Sequence, residues 1–380
     1  MKFPDNLLKR LGPAWRRAIL LFISTRLALT VIGILSRTLF ESSRHTRFVF
    51  HYSRFALLNI WGVWDTEWYM NIARSGYSGH IHTNPGNIGQ ADVAFFPLYP
   101  FLSRLLGYLT RSDYVAGLIL SNLCLIGAAV ILYNLVRLDD DEAVGLRAIL
   151  CLFVFPMAFV FSGFYTESLF LFLILSSLYC ARRERWMWAG AIGVLAALTR
   201  STGVLLVVPL LWEYLAARQF QWRRTRPEIL YTLLPVLGVC LFGAECYHLT
   251  GDFLAFSHVQ AGWGRHWANP LQVLWESLFS GDINNLFAGW LTLMVLILLL
   301  NFSDRLRFSY WIFGILAIAA PLCTGEMMSM PRFLLPVFPI YILLAKLPGG
   351  NLRDEILPIA LALLQGCLMI FWTNAFFITI

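Results

Sequence analysis

The chain has 380 residues, of which 58% are hydrophobic and 13% charged, and its mean hydropathy is +0.67. A soluble domain is about 45–50% apolar and about 25% charged, so water is excluded as the main solvent. The formal charge of +7 is carried mostly by short segments between apolar runs, which reads as a membrane topology signal and not as a nucleic-acid surface.

Taken in chain order, the N-terminus carries Lys2, Lys9, Arg10, Arg16 and Arg17 ahead of an apolar run from Ala18 to Phe40. That run is too long for a signal peptide and has no small-residue cleavage site, so it is expected to be a retained first span. Further spans are expected at 114–136, 148–164, 167–181, 187–199, 202–216, 228–248, 286–302, 308–323, 333–346 and 355–375, about eleven crossings in all. The expected fold class is therefore an all-α polytopic membrane protein, with one membrane domain over 1–380. Its core lies in 1–216, including a first outer loop at 41–113, and its variable helices lie in 217–380.

With the N-terminus inside, the basic clusters at Arg182–Arg185, Arg218–Arg226, Arg305–Arg307 and Lys346–Arg353 all fall in inside loops. The apolar stretch 94–110 is short, contains Pro97, Pro100 and Arg104, and would invert every later loop if it crossed. It is expected to lie along the outer interface. Residues 186–216 sit between two inside clusters and must form a hairpin, with arms reaching only ~21 Å at 1.5 Å per residue. Its tip, Thr199-Arg200-Ser201, should sit below the outer surface in a wet, protein-lined cavity. The same parity collects 41–113, Ser162–Glu167, 249–285 and Thr324–Arg332 at that outer end.

Those segments hold the dense polar-aromatic motifs. Asp65, in Trp61-Gly-Val-Trp64-Asp65-Thr-Glu67-Trp68-Tyr69, could take a proton from an attacking sugar hydroxyl or simply cap the helix 66–74. Glu67 is the rival base, and two residues apart on a helix the two acids do not share a face. Glu167 serves either the macrodipole of its helix or catalysis. Arg200, Arg265 and Arg332 suit a phosphate, because a guanidinium offers paired charge-assisted hydrogen bonds. Arg265 and Arg332 could equally meet lipid headgroups. Trp64, Tyr69, Tyr99, Tyr165 and Trp263 are candidate contacts for sugar or acceptor. Arg26, buried in the first span, is expected to pair with Glu213. The seven cysteines contain no CxxC pair and read as small core residues. His248, His258 and His266 lack metal-ligand spacing, and no metal site is expected.

Five motifs in order, Trp64-Asp65 with Ile72-Ala73 and Gly76-Tyr77, Ala94–Pro100, Tyr165–Phe170, Thr199-Arg200-Ser201 with Gly203, and Pro331–Pro339, resemble the PIG-V-like family. This family contains the second mannosyltransferase of glycosylphosphatidylinositol assembly and its prokaryotic relatives. The resemblance implies a GT-C glycosyltransferase bundle, a polyprenyl-phosphate sugar donor, typically mannose, and inversion at the anomeric carbon. It implies Asp65 as base, Glu167 as a positioning acid, and Arg200, Arg332 and, less directly, Arg265 at the donor phosphate. No cofactor is implied, since arginines could replace a metal at a monophosphate leaving group. Expected partners are the lipid-linked donor, a glycolipid or glycan acceptor, membrane lipids and an accessory membrane subunit; nucleic acid is not among them. The compact chain leans toward a prokaryotic relative in the plasma membrane, the endoplasmic reticulum being the eukaryotic counterpart, with the site on the extracytoplasmic or luminal side. A lipid or lipid-linked sugar flippase is the alternative function, but no repeat between the halves supports it. A third reading is an assembly subunit with a dead site.

Overall fold

The computed structural model describes residues 12–41, 46–83 and 88–379; Lys2, Lys9 and Arg10, read above as part of an inside signal, lie outside these. The architecture is helical, and an isolated bridge between Val49 and Val63 is its one β-type pairing among the described residues. In chain order the helices are α1 (Pro13–Leu39), α2 (Thr66–Ser75), α3 (Leu98–Thr110), α4 (Asp113–Val136), α5 (Glu142–Val154), α6 (Glu167–Arg182), α7 (Trp186–Thr199) and α8 (Val207–Ala217). They continue as α9 (Leu234–Thr250), α10 (Pro270–Leu278), α11 (Ile283–Asn301), α12 (Phe308–Leu322), α13 (Met330–Phe333), α14 (Pro339–Ala345) and α15 (Leu357–Thr373). Among the described residues, five helical segments are long and apolar enough to cross a bilayer: α1, α4, Pro227–Thr250, α11 and Leu352–Thr373. Shorter apolar helices run over Trp186–Thr199, Ser201–Ala217 and Phe308–Leu322. The chain is a multi-pass membrane protein.

Two expected spans are broken. The one drawn over 148–164 ends as a helix at Val154, because Pro156 forces Phe155 into an extended conformation (φ −57°, ψ 141°). A 3-10 turn, Ala158–Ser162, follows. The carbonyls freed at this break are not left bare: the amide of Gln365, on α15, donates to Phe153 O and Phe155 O at 3.0 and 2.9 Å. The span drawn over 333–346 is interrupted between α13 and α14, where Pro336 and Pro339 stand.

The bundle is built on α4 against α6, α6 against α7, and α7 against α9, while α15 returns to pack on α1 and α5. Arg37 of α1 donates through Nε to Thr373 O (2.9 Å), and Asn374 donates to Ser36 Oγ (2.7 Å). The hairpin of α7 and the following 3-10 turn is tight. A Cβ on Gly203 would lie 2.5 Å from the backbone of Ala196 and Ala197, so only hydrogen fits there. That close approach pins the tip that carries Arg200.

The expected Arg26–Glu213 pair does not form. Arg26 donates to Ala158 O (3.0 Å) and lies over the Phe153 ring, whereas Glu213 faces the far end of the bundle and binds Arg307. Similar depth in two spans does not make two side chains neighbours. Cys124, Cys151 and Cys246 are buried, whereas Cys240 and Cys367 lie on the surface, and the cysteines are free.

Candidate active site

Asp65 follows a constrained turn. Trp64 adopts a left-handed backbone (φ 53°), costly for a bulky residue unless its surroundings hold it. Its ring stacks on Phe48 at 4.6 Å and packs on Phe377 at 4.9 Å, and the backbone N–H of Trp64 donates to Phe48 O. The turn delivers Asp65 to the start of α2, where its carboxylate makes no capping bond. Instead it accepts from Arg332 Nη1 at 2.7 Å. The capping explanation for Asp65 is thereby replaced by an ion pair.

Glu167 opens α6 and is almost fully buried. Its Oε1 accepts from Arg200 Nη1 at 2.6 Å and lies 3.2 Å from Arg332 Nε. The second contact is misaligned for a hydrogen bond, so Arg332 Nε lacks a hydrogen-bond partner among the described residues, as does the other carboxylate oxygen, Glu167 Oε2. Arg332 therefore stands between both acids. It sits on the four-residue α13, entered through Ser329 in a left-handed conformation (φ 66°), and follows the Gly325 turn (φ 77°) in the chain. A Cβ on Gly325 would lie 2.8 Å from the His266 ring.

Arg265 is different. Its guanidinium lies 5.1 Å above the Phe333 ring, its buried Nε has no partner, and it makes no ion pair among the described residues. Burial, then the positive charges of Arg332 and Arg200, pull its pKa down to about 10. Of the three guanidinium groups, Arg200 and Arg332 pair with Asp65 and Glu167, whereas Arg265 feels Asp65 and, more weakly, Glu326 without an ion pair among the described residues.

These groups wall a cavity of about 330 Å³. Asp65, Arg200, Arg265 and Arg332 line its polar part with Ser201, Thr202, Gln260 and Ser329, and Tyr69 and Trp263 face it. Burial, reinforced by Glu167, lifts the Tyr69 hydroxyl to about 12, keeping it a neutral donor. An apolar arm runs along α12, where Phe313, Ala317, Ala320 and Pro321 share one face, closed by Phe170, Phe333 and Pro336.

Several expected site residues lie elsewhere. Glu67 is exposed and points away from the cavity toward Tyr52 and Arg74, the other side of α2. Trp64 is a packing residue. Tyr99 is buried, bonded to Gly117 O and Ser121 Oγ, and Tyr165 donates to Val63 O behind the arginines. Tyr165 meets the site indirectly, through the Arg332 guanidinium 5.1 Å above its ring. The α12 arm and Gln260 escaped sequence reasoning. The small-residue face of α12, bounded by Pro321, was the available signal. Among the described residues no three His, Cys, Asp or Glu side chains gather as a metal site would, and one oxygen of each site carboxylate, Asp65 Oδ2 and Glu167 Oε1, meets an arginine.

The profile of the family described as dolichyl-phosphate-mannose-protein mannosyltransferase matches residues 92–248, less than half of the chain. No curated protein matches. Among solved structures, ArnT from Cupriavidus metallidurans bound to undecaprenyl phosphate superposes with a TM-score of 0.54 at 14% identity, over 95% of this chain and 76% of that one. The archaeal oligosaccharyltransferase AglB from Archaeoglobus fulgidus, in complex with an inhibitory peptide and a dolichol-phosphate, gives 0.42 at 12% identity, over 93% of this chain and 55% of that one. The likeness to ArnT is one of fold.

Proposed function

We propose that this chain is a membrane glycosyltransferase that moves a mannosyl or related hexosyl residue from a polyprenyl-phosphate carrier to a hydroxyl of a lipid-linked or glycan acceptor. Within the GT-C class we read it as PIG-V-like, from the motifs around Asp65, Glu167, Arg200 and Arg332. The observation that carries the reading is Arg265, a half-buried cation with an unpartnered Nε and no ion pair among the described residues, lining with Asp65 a cavity that continues into an apolar arm. A phosphate joined to a long hydrocarbon tail supplies what each part lacks. The match to a mannosyltransferase profile and the undecaprenyl phosphate bound to ArnT point the same way.

The chemistry follows from these positions. The carrier phosphate meets Arg265 and draws Arg332 from Asp65, while the tail lies along α12. Asp65, relieved of its ion pair, accepts the proton of the acceptor hydroxyl as that oxygen attacks the sugar C1. The bond from C1 to the phosphate oxygen breaks on the opposite face, its electron pair leaves with the polyprenyl phosphate, and the configuration inverts. Once the carrier is bound, the growing negative charge on the phosphate is offset by guanidinium groups already in place, which need not reorganise during the transfer itself. Glu167 holds Arg200 and Arg332 in place. Tyr69 and Trp263 contact the sugar or the acceptor. The site opens to the extracytoplasmic or luminal side, in the plasma membrane of a prokaryote.

The test uses purified protein in proteoliposomes, radiolabelled polyprenyl-phosphate mannose and its glucose counterpart, and an acceptor-bearing membrane extract. The account expects a labelled product with a new glycosidic linkage. Movement of label between leaflets without a new linkage would make the protein a flippase instead.

A further inference from the structure

Helix α10 carries three distinct faces on nine residues. At about 100° per residue, Val273, Leu274 and Ser277 turn inward and are buried against α11 and α12. Leu271 and Trp275 form a second face, 76% and 65% exposed, continued by Trp267 and Phe279 at 85% and 68%. Between these lies a narrow polar edge, Gln272 and Glu276, joined by a 2.8 Å side-chain hydrogen bond. A helix on an aqueous surface needs one apolar face, against the protein. The second apolar face here needs a second apolar phase, and the polar edge needs water alongside it. Only a helix lying in a membrane interface meets all three conditions.

The position of α10 in the chain agrees. It is Asn269-capped and Pro270-started, and four residues separate its end from α11, one of the five helices able to span a bilayer. The exposed stripe continues onto the outward face of α11 through Ile283, Trp290 and Met294. Tryptophans such as Trp267 and Trp275 favour the headgroup level. At its other end α10 leads directly from the cavity wall. His266 N donates to Thr324 O (2.9 Å) and Ala268 N to Cys323 O (3.0 Å), so the link between Arg265 and α10 is short and tied to the end of α12.

We propose that α10 lies in the plane of the membrane with the lipid bilayer as its partner, and that it sets the height of Trp263 and Arg265 at the level of lipid phosphates. The second half rests on the reading of the cavity as a donor site; the first does not. Spin labels at positions 271, 272, 275 and 276, placed singly in a cysteine-free background in phosphatidylethanolamine and phosphatidylglycerol vesicles, test the first half. Collision with oxygen should exceed collision with a water-soluble nickel chelate several-fold at 271 and 275, and the order should invert at 272 and 276. Equal exposure to nickel at all four sites, or shielding of 271 and 275 from both probes by a protein partner, would overturn it. If the cysteine-free chain fails to fold, a photoreactive diazirine residue at the same positions in the natural background reads the same pattern, with acyl-chain adducts expected at 271 and 275 alone. For the second half, Trp275→Asp should raise the KM for the lipid donor several-fold with kcat retained. An unchanged donor KM in an active parent enzyme removes that coupling, whereas an inactive parent indicts the transferase reading and leaves the probe pattern standing.

Discussion

The two ends of α6 hold the same chemical parts in different states of completion. At its C-terminal end, Arg182 forks onto Asp139 at 2.6 and 2.7 Å, and Arg307 forks onto Glu213 at 2.5 and 2.8 Å. Ser309 also donates to Glu213, and Lys346 pairs with Asp140 at 2.7 Å. Each of these acids has a cation of its own. About 22 Å away at the N-terminal end, Glu167 and Asp65 share Arg200 and Arg332; among the described residues Arg265 makes no ion pair, and Glu167 Oε2, Arg332 Nε and Arg265 Nε lack hydrogen-bond partners. A network whose groups satisfy one another stabilises a fold, whereas one left incomplete and facing a cavity is built for a ligand that completes it.

The comparison is sharpest at Asp65. Asp65→Asn should cut transfer by about 10²–10⁴-fold, the usual weight of a general base, with carrier binding retained; radiolabel transfer by the purified variant checks the first and equilibrium binding of labelled carrier the second. Glu213→Ala tests the opposite end. It strands Arg307 and should cost on the order of 3 kcal/mol of stability, read as a lowered Tm, while each folded molecule still transfers at the parental rate. Arg265→Met should weaken carrier binding by about 10–100-fold without lowering the Tm of the unliganded protein. The sign follows from Arg265 being held at about 10. The folded chain grips that proton less tightly than the unfolded chain, so the charged form costs stability at every pH below about 10 and the cost fades only above it. Glu67→Gln, on an exposed side chain off the cavity, should change transfer and stability by less than about 0.5 kcal/mol.

The sequence exposes what depends on long-range regularity. Hydropathy locates α1, α4, α6 and α7 within a few residues, and charge parity brings Asp65, Glu167, Arg200 and Arg332 to one end although 267 residues separate the first from the last. It does not expose local interruptions and directions. Pro156 stops a span that composition alone would continue. Aromatic motifs suggest sugar contacts, but the left-handed turn at Trp64 and the hydrogen bonds of Tyr99 and Tyr165 turn those rings into packing. Arg265 looks the weakest of the three arginines in a motif. Only the pairing of the other two with acids reveals it as the unspent cation.

The central claim, that the incomplete end awaits a lipid-borne phosphate, is tested most directly by thermal unfolding of the purified protein with undecaprenyl phosphate and, separately, with undecaprenol. A ligand at a hundredfold excess over its Kd should stabilise by about 2.7 kcal/mol. The account predicts that the phosphate raises the Tm and the bare alcohol does not; equal shifts from both, or none from the phosphate, would contradict it.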